Sequence, residues 1–341
     1  MNKNSIGNVP WLVNPWVDIT LLTGFPVVFL IIYLLNRLAV SSQPIFLTVS
    51  TFLLGSLMIQ PHFCITYGTS YLDSRKFQGK AFQFIFIPLF IFFVIIFFSF
   101  RGCFVIFSSI LFYGIFWHVL DQNYRILQAH KSKNNDSLSC DNILDYSVLM
   151  VVPFYFLLKI LPAETFKYSY GIVYGIPTNA FLLYFSRVFV ICCLVFFIFR
   201  QIYLFLKYKR VNIFKIAMVT TTVLIFYFSL ALYSSIIILL LLFRWHHNVQ
   251  YATWSLFYHR ERSGEDTARK AGVISYLSKP GRVPLYILFF VLSGCLLIFV
   301  TKIISLLTDD PKFTVIAFQT FFAILHIYLD TFIWKIPKMT I

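Results

Sequence analysis

From Leu239 to Phe243 the chain is unbroken hydrocarbon, and then the pattern changes within one turn. Arg244-Trp245-His246-His247-Asn248-Val249-Gln250-Tyr251 continues the same run with polar groups at most positions. A charge at bilayer depth costs about 2.5–3.5 kcal/mol on insertion scales, so polar groups there face the interior of a bundle and mark a site. Apolar runs long enough to cross about 30 Å of hydrocarbon recur at 17–36, 44–70, 81–99, 102–127, 142–161, 178–199, 214–232, 235–259, 284–307 and 313–334. Each predicts a helix, about ten in all, and hence an all-α, polytopic transmembrane bundle. The stretch 214–259 is too long for one straight span, and Tyr233-Ser234-Ser235 is the predicted turn within it.

Composition agrees with the pattern. The 341 residues are 59% hydrophobic and only 12% charged, with a mean hydropathy of +0.81, whereas soluble domains carry about 25% charged residues. A net charge of +15 would suggest nucleic acid as partner of a soluble chain. Here it reads as the basic excess of cytoplasmic loops. With an even number of spans and a cytoplasmic N-terminus, the basic residues of 71–80, 128–141, 200–213 and 260–283 all fall on the cytoplasmic side. The opposite side receives only Arg37, Arg101, Lys159, Lys167, Arg187, Lys302 and Lys312. Both ends are therefore expected inside, on a multi-pass protein of the inner (plasma) membrane. No linker divides the chain, and 1–341 reads as one membrane domain.

Cys64, Cys103, Cys140, Cys192, Cys193 and Cys295 lie mostly in apolar runs without a Cys-x-x-Cys pair, so neither disulfides nor a zinc site is implied. The first sixteen residues hold one lysine and no apolar core, so no cleavable signal is expected and the first helix serves as its own anchor.

Against this background four histidines stand out. His62, His118, His247 and His326 lie in four different predicted helices that all run toward the cytoplasm, at depths of roughly 10–20 Å below the cytoplasmic ends. Polar residues follow each by one turn: Thr66 after His62, Asp121 and Gln122 after His118, Gln250 and Tyr251 after His247, and Asp330 after His326. Spacings of three and four place such groups on one helix face. The pattern predicts a shared metal centre with the four imidazoles as ligands and Gln122, Gln250 and Asp330 orienting or tuning them. Asp121 and Tyr251 are the candidates for acid–base work. Other uses stay open: hydrogen bonds to neighbouring helices, a haem held by two of the rings, or a proton relay. His246 and His247 diverge by about 100° around a helix, so only one of them is expected to point at the ion. His130 and His259 adjoin Lys131 and Arg260 and are expected to be solvated or to face the headgroups.

All-imidazole coordination with open positions suits iron, copper or zinc. In an aromatic-lined, lipid-embedded pocket, a redox-active iron (Fe2+) that binds dioxygen and oxidises a hydrophobic or lipid substrate is the most economical use. Zinc hydrolysis is the competing chemistry, with Asp121 as its base.

The segment from Leu325 through His326 and Asp330 to Lys335, with Pro61-His62-Phe63 and Trp245-His246-His247, resembles the scattered-histidine pattern of the Brp/Blh-type bacterial β-carotene dioxygenases. These are all-helical membrane enzymes with a four-histidine non-haem iron. The resemblance implies a metal and a lipid-phase oxygenase class more than carotene itself. That family has Pro-His-Gly, Pro-His with an aspartate a turn later, and a His-x-x-x-His pair. Here His62 has no such aspartate, no His-x-x-x-His occurs, and no proline precedes His326. Trp245-His246 also resembles the Trp-His motif of membrane-bound O-acyltransferases, without the glycine that usually follows. A transporter is the third class, although broken helices and acidic paths are few.

Overall fold

The computed structural model of the chain describes residues 11–27, 60–72, 82–100, 104–134, 138–161, 165–168, 171–209, 211–228, 236–265 and 273–333, with the single positions 31, 80 and 136. The described chain is helical throughout, apart from one short hairpin. In order it forms α1 (Val17–Gly24, wound in the wider π form), α2 (Gln60–Tyr71), α3 (Phe82–Phe100, its first turn also π), α4 (Phe104–Lys133) and α5 (Ser139–Ile160). The hairpin β1 (Thr165–Tyr168) and β2 (Gly171–Tyr174) follows. The chain then continues through α6 (Ala180–Tyr208), α7 (Ile213–Phe226), α8 (Ile236–Glu265), α9 (Val273–Leu277), α10 (Val283–Leu306) and α11 (Pro311–Ile333). The turn at Tyr233-Ser234-Ser235, the first part of the 44–70 span and most of the second half of the 17–36 span lie outside the described residues.

Among the described residues, five helices are long and apolar enough to cross a membrane: Val105–Lys133, Ser139–Ile160, Ala180–Tyr208, Val283–Leu306 and Phe313–Phe332. Of these, α6 and α10 are peripheral. Phe181, Phe189, Phe196 and Phe199 on α6, and Leu288, Leu292, Leu296 and Phe299 on α10, present exposed apolar side chains suited to lipid. The polar helix α8 is the opposite case. From Leu242 to Ser255 most of its side chains are buried, and it packs against α1, α2, α4, α7 and α9. Polar side chains in a bilayer are driven inward, and this places the histidine-rich turn at the bundle centre.

Several segments expected as loops are helical. Helix α4 runs through Lys133, because Ile126, Leu127 and Ala129 are fully packed and the buried Lys131 donates to Asp145 at 2.5 Å. Helix α6 runs to Tyr208 because Arg200 pairs with Asp141 through two bonds, of 2.6 and 3.0 Å. Asn179 and Asn212 cap α6 and α7 by accepting from Leu182 N and Lys215 N. The expectation for His130, on α4, and His259, on α8, is overturned as well. Both are buried: His130 stacks on Phe214 with ring centroids 4.4 Å apart, and His259 Nε2 lies 3.2 Å from Thr69 Oγ1. The hairpin, which the hydropathy pattern did not suggest, docks on α4, with Tyr174 N donating to Ser109 Oγ and Tyr113 OH donating to Tyr174 O.

One crossing fixes the entry of α2 into the core. A Cβ on Gly294 of α10 would lie 2.6 Å from Pro61 Cδ and 2.7 Å from Pro61 N, so only glycine lets α10 come this close to the residue preceding His62. Gly294→Ala is expected to push the helices apart and lower stability by about 1–3 kcal/mol, the usual range for overpacking. A thermal melt of the detergent-solubilised protein checks this, and an unchanged transition would mean that the crossing tolerates a methyl group.

Candidate metal centre

The site is built from helices far apart in sequence. His62 comes from α2, His118 from α4, His247 from α8 and His326 from α11, and all four rings are buried. They meet through their Nε2 atoms. His118 Nε2 lies 3.2 Å from His326 Nε2, which lies 2.8 Å from His62 Nε2, which lies 2.9 Å from His247 Nε2. Two sets of ligand-type atoms within 4.8 Å of one another share His326: His62, His247 and His326, and His118, His326 and Asp330.

Asp330 is one turn after His326, as the spacing indicates, but its carboxylate does not back the far side of that ring. Oδ2 lies 3.2 Å from His118 Nε2 and 3.6 Å from His326 Nε2, on the side where the imidazoles converge. Asp330 thus stands among the possible ligands. Its Oδ1 accepts from Tyr251 OH at 2.8 Å.

The partner of His326 Nδ1 is Thr66 Oγ1, at 2.7 Å. Thr66 also lies 2.7 Å from Tyr251 OH and 3.2 Å from Asp330 Oδ1. A hydroxyl has one proton. If Thr66 donates it onward to Tyr251, whose own proton goes to Asp330, then Thr66 accepts from His326 Nδ1–H. That is the assignment that serves each of these groups. It leaves His326 Nε2 with a bare lone pair facing the other rings. Thr66 is visible in the sequence only as a polar neighbour of His62. Its use on a ring from α11 depends on a helix crossing that local spacing does not encode.

The remaining sequence candidates fall outside the cluster or behind it. Gln122 donates to the backbone carbonyl of His247 at 3.1 Å and to Gln250 Oε1 at 3.2 Å. Gln250 in turn donates to Leu22 O at 2.6 Å. These amides fix the backbone of α8 and tie it to α1, and among the described contacts neither reaches one of the four clustered rings. His246 Nε2 sits 3.0 Å from the same Leu22 carbonyl and 2.8 Å from Gln250 Nε2, so of the adjacent pair it is His247 that joins the cluster. Asp121 is committed to Arg125 at 2.5 Å with its side chain 28% exposed, and among the described contacts it reaches none of the four rings. Tyr251 is fully buried, its ring centroid 4.4 Å from that of His62.

A second buried polar group staples α4, α5 and α7. Lys131 and Lys215 both reach Asp145 Oδ2, at 2.5 and 3.1 Å, and Lys215 also reaches Asp136 at 3.4 Å. Two cations face two carboxylates, so the group is charge-balanced and reads as structural.

No family model, curated protein or solved structure matches this chain.

Proposed function

We propose that this chain is a membrane-embedded metalloprotein in which His62, His118, His247 and His326, with Asp330, hold one transition-metal ion. We further propose that the ion is iron, used with dioxygen to oxidise a lipid-soluble substrate. One observation carries the reading. The four Nε2 atoms form a row with three contacts of 3.2, 2.8 and 2.9 Å. Each ring nitrogen has a single in-plane lobe, either an N–H or a lone pair, so at most two of the three contacts are hydrogen bonds and one is left without a proton. A cation held by His62, His247 and His326, whose ligand atoms lie within 4.8 Å of one another, would remove the conflict, because three of the lobes then share one charge. Nitrogens bonded to one ion at about 2.0–2.1 Å lie roughly 2.9–3.4 Å apart for right-angled to tetrahedral bonds, close to the separations seen.

The donor set supports a borderline transition metal: imidazole nitrogens and one carboxylate, with no thiolate in either ligand group. Iron is preferred for its use of dioxygen in an apolar pocket, and the scattered-histidine resemblance points the same way. In the membrane, the reading places about ten spans with both ends on the cytoplasmic side of the inner membrane.

Elemental analysis of the purified full chain tests the proposal, with close to one iron per chain expected after reconstitution with Fe2+. A chain that retains no transition metal under any loading condition would end it. Within the site, Asp330→Asn is expected to weaken metal retention by at least the 10- to 100-fold seen when outer partners of a metal site are lost. Thr66→Val removes the partner of His326 Nδ1 together with its contacts to Tyr251 and Asp330, and should fall within that range. Competition with a chelator measures both, and unchanged affinity in Asp330→Asn would exclude the carboxylate from the centre.

A further inference from the structure

Beside the imidazole cluster, α2 and α8 share a column of buried polar side chains. On α8, Tyr251, Ser255 and His259 are four residues apart, and on α2, Thr66 and Thr69 are three apart, so each set occupies one helix face. All five side chains are buried. At one end, Thr66 Oγ1 lies 2.7 Å from Tyr251 OH, which donates to Asp330 Oδ1 at 2.8 Å. At the other, Thr69 Oγ1 lies 3.5 Å from Ser255 Oγ and 3.2 Å from His259 Nε2. Tyr286 of α10, also buried, adjoins both ends of the column. Its hydroxyl falls outside hydrogen-bond geometry with any group, yet it is close enough to act on both Tyr251 and Ser255.

Small residues alone would let two helices approach this closely. A buried hydroxyl needs a partner, so a hydroxyl at every turn is more than close packing asks. What such a column can do is move protons. Each hydroxyl carries one proton and two lone pairs, and can release its proton as it takes up another. Eight residues separate Tyr251 from His259, about 12 Å of axial rise. The column therefore runs from the imidazole cluster toward the partly exposed Tyr258 and Arg260.

We infer that this column is a proton route between His259 and the Tyr251–Asp330 hydrogen bond. A proton taken up at His259 displaces the next along Thr69, Ser255, Tyr286 and Tyr251, and every hydroxyl ends with the one proton it began with. The 3.5 Å contact of Thr69 with Ser255 is at the outer limit for a hydrogen bond, so the route is cut most readily at Thr69. The inference rests on the reading of the cluster as a reaction centre for what the proton is used for, since a centre inside a bilayer exchanges protons along polar groups. The route itself needs no metal.

The test follows the Tyr251 hydroxyl proton. Full chain in nanodiscs, isotope-labelled at tyrosine Cζ, is transferred from H2O to D2O, and the Cζ resonance reports exchange of the hydroxyl, both without metal and with diamagnetic Zn2+ added. Tyr251→Phe identifies the signal. The hydroxyl is expected to exchange faster than the backbone amides of Gln250 and Tyr251, which exchange only when α8 opens. Thr69→Val and His259→Leu should each slow it by about tenfold or more, the kinetic equivalent of one hydrogen bond lost at the barrier, with amide exchange unchanged. Thr69→Ser should restore most of the rate. Hydroxyl exchange no faster than the amides, wild-type rates in both Thr69→Val and His259→Leu, or a Thr69→Ser chain as slow as Thr69→Val would overturn the inference. The expected slowing in a chain that takes up no metal would sink the metal reading alone. Bound metal with hydroxyl exchange unaltered by the substitutions would sink this inference alone.

Discussion

His326→Ala is expected to lower metal affinity by more than about 100-fold, beyond the range for outer partners, and to do so more severely than Ala at any other histidine. The reason is its position. His326 Nε2 is in direct contact with both His62 Nε2 and His118 Nε2 and lies 3.6 Å from Asp330 Oδ2, so both sets of ligand atoms pass through it. Its Nδ1 contact with Thr66 fixes which nitrogen carries the lone pair. Removing the ring also takes away the Nδ1 contact of Thr66 and one of the two imidazole neighbours of Asp330. Ala at His62, His118 or His247 should reduce metal content as well. His246→Ala, His130→Ala and His259→Ala should not, since those rings bond to Leu22 O, stack on Phe214 or face Thr69. Metal-to-protein ratios across the seven variants check this, and equal ratios would refute the assignment.

Asp145→Ala is expected to be the most destabilising single change outside the centre. Asp145 is the carboxylate that both Lys131 and Lys215 reach, and the two lysine side chains are each 1% exposed. Without it, only Asp136 at 3.4 Å remains for Lys215, and Lys131 is left buried without its partner. Breaking a buried ion pair by deleting one member costs about 3–5 kcal/mol, because an uncompensated charge stays in a poor dielectric. The triple variant Lys131→Met, Lys215→Met, Asp145→Leu should recover most of that loss, since apolar replacement of a whole buried ionic group is often neutral. Thermal melts of the two proteins decide the point. Metal content should be unchanged in the triple variant, because the staple lies apart from the imidazoles.

The sequence carried the histidine layer for a physical reason. Polar residues are costly in a bilayer, so four histidines in apolar runs, each with a polar group one turn on, already imply a shared interior. What local spacing could not carry is the face on which each group lies once helices cross. Asp330 lies on the converging side of His326, and Thr66 of α2 takes the far nitrogen of that ring. Gln122 and Gln250 follow their histidines by one turn, yet they bond to backbone carbonyls. The boundaries of α4 and α6 were hidden for a related cause: Lys131 and Arg200 look like loop charges until Asp145 and Asp141 of α5 are seen beside them. Asn248 and Arg244 were legible as polar residues in the histidine turn, but only the fold brings them to one cavity with Phe63, Leu111 and Ile327.

X-ray absorption at the iron edge of the reconstituted full chain reads the centre itself. The expected spectrum has a shell of nitrogen and oxygen scatterers at about 2.0–2.2 Å, with the outer-shell features of several imidazoles, and these features diminish in His326→Ala. Iron whose shell lacks imidazole, or whose spectrum is identical in His326→Ala, would show that the four histidines pack against one another without holding a metal.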